Sequence, residues 1–123
     1  MEKVEKDVLR ILKSHKGRYN PITAKAISKG LRVPEREIRR IISRLVIKNK
    51  LLIASSVNKP FGFYIIENLE ELKGCLRQYY SRLKALKERA SSLYKAGLKK
   101  FSKQIQGEFK FHDKSLRKRR NGK

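Results

Sequence analysis

Val4, Val8, Ile11 and Leu12 recur at i, i+4, i+7 and i+8 with Lys and Glu between them, the spacing of one face of an amphipathic helix. His15 continues that stripe, and Gly17 is placed to cap the helix near Lys16-Gly17. Tyr19-Asn20-Pro21 reads as a turn. Thr23 is expected as the N-cap of a short helix over 24–29 that buries Ala26 or Ile27, with Gly30 supplying positive φ at its end. Pro34 is expected at the N1 position of a longer helix reaching about Lys48. Ile38, Ile41, Ile42 and Leu45, at i, i+3, i+4 and i+7, predict its buried side.

Two runs rich in β-branched and aromatic residues follow, Leu51-Leu52-Ile53-Ala54-Ser55 and Phe63-Tyr64-Ile65-Ile66. The turn-forming stretch Ser56-Val57-Asn58-Lys59-Pro60-Phe61-Gly62 between them predicts a hairpin. Asn68 and Glu71 then have the spacing of a capping box. Beyond them Leu69, Leu72, Leu76, Tyr79, Leu83, Leu86, Ala90, Leu93 and Gly97 alternate steps of three and four, a coiled-coil seam. As a helix, residues 69–97 would span roughly 43 Å at about 1.5 Å per residue. A domain of about 66 residues is only roughly 28 Å across. The seam is therefore expected to outrun its own domain and to be covered by a second chain, as a homodimer through Leu72, Leu76, Tyr79, Leu83, Leu86 and Leu93.

Charge sharpens this picture. The 123 residues carry 33 Lys+Arg against 11 Asp+Glu, a formal charge of +22, which draws polyanions. Residues 89–123 hold twelve basic side chains opposed only by Glu108 and Asp113, and the stretch from Lys114 onward is nearly devoid of apolar groups. That segment is expected to be a basic arm, largely disordered, with too little apolar surface to offset the entropy of ordering. No apolar run approaches the roughly 20 residues of a membrane span, and the charged N-terminus does not resemble a secretory signal. A single cysteine, Cys75, excludes an intramolecular disulfide and favours a reducing compartment.

The order of three helices and a β-hairpin resembles the winged-helix DNA-binding domains over roughly residues 4–66. The likeness is carried by Ile22-Thr23-Ala24-Lys25-Ala26-Ile27, by Leu31-Arg32-Val33-Pro34-Glu35-Arg36-Glu37-Ile38-Arg39-Arg40-Ile41-Ile42, and by Gly62-Phe63-Tyr64-Ile65-Ile66-Glu67-Asn68. With the long helix after it, the chain looks more narrowly like small winged-helix proteins of bacteriophage and prophage early regions. The resemblance implies a DNA-binding fold, and cytoplasmic residence in a bacterial, archaeal or phage-infected cell. The fold class expected is mainly α with a small β-hairpin (α+β). Residues 1–67 would form the winged helix-turn-helix domain, 68–101 a coiled-coil helix and 102–123 the basic tail.

At 100° per residue, the side of the third helix opposite its apolar stripe is centred on Arg36, Arg40 and Ser43, flanked by Arg39 and Arg44. The planar arginine fork can contact guanine O6 and N7 together and also serves phosphate. Phosphate contacts are expected from Thr23 and Lys25, at the start of the second helix. Asn58 and Lys59 at the hairpin tip are expected in an adjacent groove or on the backbone. Arg117, Lys118, Arg119 and Arg120 would add affinity of no sequence preference through counterion release.

Enzymatic chemistry finds few parts. His15 and His112 lie far apart without metal-ligand spacing, Cys75 lacks a Cys-x-x-Cys partner, and no glycine run forms a phosphate cradle. Glu67, Glu70 and Glu71 cluster where a helix dipole favours acids. No catalytic, metal or cofactor site is expected. The sequence therefore points to a non-enzymatic, dimeric protein binding double-stranded DNA, in transcription regulation or as a replication or site-binding accessory factor. Two alternatives stand beside it: an adaptor or inhibitor docking a protein partner through the long helix, and an RNA-binding protein.

Overall fold

In the computed structural model, residues 1–108 are described, with side chains described through Gln104. The protein is mainly helical, with a small two-stranded antiparallel hairpin and a long C-terminal helix. The elements follow in the order α1 (Lys3–Lys13), α2 (Ala24–Leu31), α3 (Glu35–Ile47), β1 (Ile53–Ser56), β2 (Gly62–Ile65) and α4 (Leu69–Glu108).

The apolar stripes converge. Val8 and Leu12 of α1, Ile27 of α2 and Ile38, Ile41, Ile42 and Leu45 of α3 form one buried cluster, closed by Ala24 and Ile53. Ala26 is exposed, so of the two expected candidates in α2 it is Ile27 that goes inside. The strands alternate as period-two geometry requires. Ile53, Phe63 and Ile65 face the helical core, whereas Ala54, Tyr64 and Ile66 form a second cluster with Leu72 and Cys75 of α4.

The register pairs Ile53 with Ile65, Ala54 with Tyr64, Ser55 with Phe63 and Ser56 with Gly62. The other edge of β2 is also satisfied. Gly17 N–H donates to the Ile65 carbonyl (2.9 Å) and Ile65 N–H to that of His15 (2.9 Å). Ile22 and Phe63 exchange two further bonds of 2.9 and 2.8 Å. The loop joining α1 to α2 thus borders the hairpin, a pairing the sequence pattern does not announce.

Several boundaries differ from expectation for local reasons. Helix α1 ends with Ser14 as its cap, so Gly17 is not the C-cap; at φ +90 it serves the loop that pairs with β2. A Cβ there would also lie 2.8 Å from Glu67 Oε1. Gly30 stays helical, and Arg32, at φ 58, takes the left-handed position that ends α2. Pro34 is the N-cap of α3, one residue outside the expected N1. Gly62 has a requirement of its own: at φ +138, an added Cβ would come within 2.6 Å of the Ile22 backbone.

Packing divides the chain into a compact unit of residues 1–79 and a second unit from Tyr80 onward. The first unit takes in the start of α4. In the second unit α4 has non-helical backbone at Phe101 (φ −126, ψ 34) and is helical again to Glu108, so residues 102–108 of the expected tail are helix. Among the described residues, no helix is long and apolar enough to cross a membrane.

Ile41 is fully buried, so Ile41→Ala should cost about 2–5 kcal/mol of unfolding free energy. Ser43→Ala, on the exposed side of the same helix, should stay within about 0.5 kcal/mol. Urea denaturation checks both, and equal losses would mean that α3 is not seated as described.

Candidate nucleic-acid interface

Burial of one side of α3 dictates what the other side shows. Ile38, Ile41 and Leu45 are fully buried and Ile42 nearly so, which leaves Arg36, Arg39, Arg40 and Ser43 exposed. Arg39 lies 3.6 Å from Glu35, one turn back, and its guanidinium stands 6.0 Å from the centre of the Phe63 ring in the hairpin. Arg40 is 3.7 Å from Glu37. Arg36 makes no ion pair among the described residues. These pairs are long and solvated, worth on the order of 0–1 kcal/mol, so a phosphate can compete for Arg39 and Arg40 at little cost.

Arg44 is placed differently. Its guanidinium sits 3.6 Å from Glu5 and 3.6 Å from Glu37. Glu5 is a buried carboxylate on α1, and its other oxygen accepts the Glu2 N–H at 2.9 Å. Arg44 therefore holds α3 to α1 and neutralises a buried acid, a structural task beside any contact with a ligand. The sequence offered one hint, since Glu5 falls in the first turn of α1 where a charge suits the dipole.

Thr23 is the N-cap of α2: its Oγ1 accepts the Ala26 N–H at 3.1 Å. Lys25, in the first turn, is exposed. Asn58 and Lys59 are exposed at the hairpin turn, as placed by the sequence, and the Lys59–Pro60 peptide is cis. Arg117, Lys118, Arg119 and Arg120 lie outside the described residues.

The residue that sequence reasoning missed is Arg18. Its guanidinium donates to the Asn58 carbonyl at 3.0 Å and to those of Lys59 and Pro60 at 3.3 Å each. Its backbone N–H donates to Glu71 Oε2 at 2.8 Å. Ser56 Oγ donates to the Asn58 carbonyl as well. Glu71 Oε1 accepts the Glu67 N–H at 2.8 Å, and Asn68 Oδ1 caps the Glu71 N–H at 2.9 Å. One arginine and one glutamate thus tie the α1–α2 loop to the hairpin turn and the start of α4. Nothing in the local sequence distinguishes Arg18 from the other basic residues, because its partners are about 40 and 53 positions away.

The Arg18–Glu71 region contains Tyr64, buried in β2. Burial pushes its phenol above the ordinary value of 10.0, and the Glu71 carboxylate and Cys75 push the same way against a smaller opposing effect of Arg18. His15 is half-buried, with Nδ1 3.0 Å from the Asn20 carbonyl oxygen. Among the described residues no three or more of His, Cys, Asp and Glu come together in a group that could hold a metal ion. Comparisons with known protein families, curated proteins and solved structures returned no match.

Two outcomes follow from this geometry. Arg18→Ala should speed amide exchange at Val57, Asn58, Lys59 and Phe61 while the α1–α3 core keeps its protection; an unchanged hairpin would remove Arg18 from this role. Tyr64 is protonated more firmly when folded than its ordinary value implies. Its contribution to stability is therefore complete below about pH 10 and lost as pH rises through the raised folded value. The ultraviolet difference titration between wild type and Tyr64→Phe should have its midpoint above 10.0, and a midpoint below 10.0 would contradict the burial effect.

Proposed function

We propose that this protein is a non-enzymatic winged-helix module that binds double-stranded DNA, with α3 in the major groove and the β1–β2 hairpin as its wing. One observation carries the reading: Arg36, Arg39, Arg40 and Ser43 form an exposed row on the side of α3 opposite its buried isoleucines, in a chain of charge +22. A row of this kind matches the donor and acceptor pattern that a groove presents, with Arg36 nearest the helix N-terminus. The order of three helices then a hairpin supports it, as does the clamp that Arg18 places on the turn bearing Asn58 and Lys59. In this reading Lys25 and the N-cap of α2 supply phosphate contacts that set the register, and the arginine fork supplies the sequence preference.

The biological role that suits such a module is transcription regulation or accessory work at a replication or target site, in a cytoplasmic setting. The companion expectation, a homodimer through α4, has exposed leucines in its favour and the charge beside them against it. Leu76, Tyr79, Leu83, Leu86 and Leu93 are 40, 48, 60, 58 and 69% exposed. That exposure also favours an adaptor role in which α4 docks a protein while α3 holds nucleic acid.

Arg36→Glu with Arg40→Glu should weaken binding to a selected duplex by about thirtyfold or more, since each arginine fork is worth about 1–3 kcal/mol. Far-UV circular dichroism should not change, because both side chains are exposed. If about six phosphates are neutralised, wild-type affinity should fall with a log–log salt slope of roughly −5. Binding that survives the double substitution would place the interface elsewhere. Tighter binding to structured RNA than to duplex DNA at matched length and salt would overturn the choice of ligand.

A further inference from the structure

The leucine seam of α4 has flanks that decide what can cover it. With Leu76 and Leu83 at a positions and Tyr79 and Leu86 at d positions, the e and g positions from 73 to 96 are Lys73, Cys75, Tyr80, Arg82, Lys87, Arg89, Tyr94 and Ala96. None is acidic and four are basic. In the second unit every residue from Tyr80 to Ala90 is exposed, Leu83 and Leu86 among them, and Leu93 is exposed one turn further on.

A second copy of this chain is a poor cover for such a face. In a parallel pair Arg82 of one helix meets Lys87 of the other on both sides of the seam, and an antiparallel pair sets Arg82 near Arg89. Opposite charges at these positions choose partners, and like charges exclude them. The chain's own basic C-terminal stretch, with Arg117, Lys118, Arg119 and Arg120, has the same sign and is excluded on the same ground. A phosphate backbone would match the charge but leaves the leucines in water. A lipid surface needs a broader apolar arc than two positions in seven, and Arg77, Lys84, Glu88 and Lys95 occupy the remaining faces of the helix.

We propose that α4, over residues 80–96, is a docking face for an acidic amphipathic helix of another protein. The partner helix would carry aliphatic residues at its a and d positions and Asp or Glu at e and g. Leu83, Leu86 and Leu93 would supply the apolar contact, and Arg82, Lys87 and Arg89 the charge match that selects an acidic partner over a basic one. This inference does not rest on α3 contacting DNA, and its test has no nucleic-acid component.

The experiment uses the full chain and three four-heptad peptides at about 0.15 M salt, where weak long-range attraction is screened. One peptide has Leu at a and d with Glu at e and g, one has Lys at e and g, and one is a scramble of the first. Fluorescence anisotropy should show the Glu-flanked peptide binding at least about tenfold tighter than either other peptide. Leu83→Asp with Leu86→Asp should remove that preference while circular dichroism reports the helix content. Lys87→Glu with Arg89→Glu keeps the leucines and should transfer the preference to the Lys-flanked peptide. Equal binding of the scramble would mean that charge alone acts, and would overturn the proposal. So would a wild-type dimer in sedimentation that the leucine substitutions dissociate, because a second copy would then cover the seam. Leucine-dependent binding to anionic phosphatidylserine vesicles without peptide preference would overturn it in favour of a lipid surface.

Discussion

The inward turn of Ile38, Ile41, Ile42 and Leu45 is the constraint on which the rest of the structure depends. A helix has one rotation about its axis, so burying those four side chains commits Arg36, Arg39, Arg40 and Ser43 to solvent. The rotation is fixed from two sides. Apolar contact with α1 and α2 seats the stripe, and the pair of Arg44 with buried Glu5 pins the flank of α3 to α1. Removing one partner of such a pair leaves the other charge buried and uncompensated.

A second set of contacts sets the hairpin. Phe63 and Ile65 face the helical core while Tyr64 and Ile66 meet α4, so the sheet is covered on both faces. The large apolar side chains of the turn at its tip, Val57 and Phe61, are exposed rather than packed, and the turn is held by polar bonds from Arg18. Because the Arg18 backbone also donates to Glu71, the hairpin turn and the start of α4 share a support. Whatever touches Asn58 or Lys59 acts on a loop held in place rather than a free one.

Local pattern was enough for much of this. The stripes of α1 and α3, the Thr23 cap, the two strands and the Asn68 cap all depend on residues a few positions apart; the stripes and caps are found where the spacing puts them, the strands within one or two residues of it, and Glu71 turns its carboxylate to Glu67 and Arg18 rather than back to Asn68. The exposure of Arg36 and Arg40 followed from the same spacing. Long-range contacts were illegible: the pairing of Lys16 and Ile22 with β2, the reach of Arg18 to the hairpin and the capture of Arg44 by Glu5. Capping glycines misled for a related reason. Gly17 and Gly30 looked like helix stops, but tertiary pairing recruited Gly17 for a loop, and Arg32 adopted the left-handed position after α2. The leucine seam was visible as a repeat, yet its meaning depends on the basic side chains beside it.

The two halves of the chain thus present different chemistry: a guanidinium row on α3, and leucines bordered by cations on α4. The first is central to the function proposed. Backbone amide shifts recorded while a short DNA duplex is added test it most directly. The largest changes are expected at Arg36, Arg39, Arg40 and Ser43, with smaller ones at Asn58 and Lys59. Changes confined to α4, with α3 unmoved at saturating duplex, would contradict it.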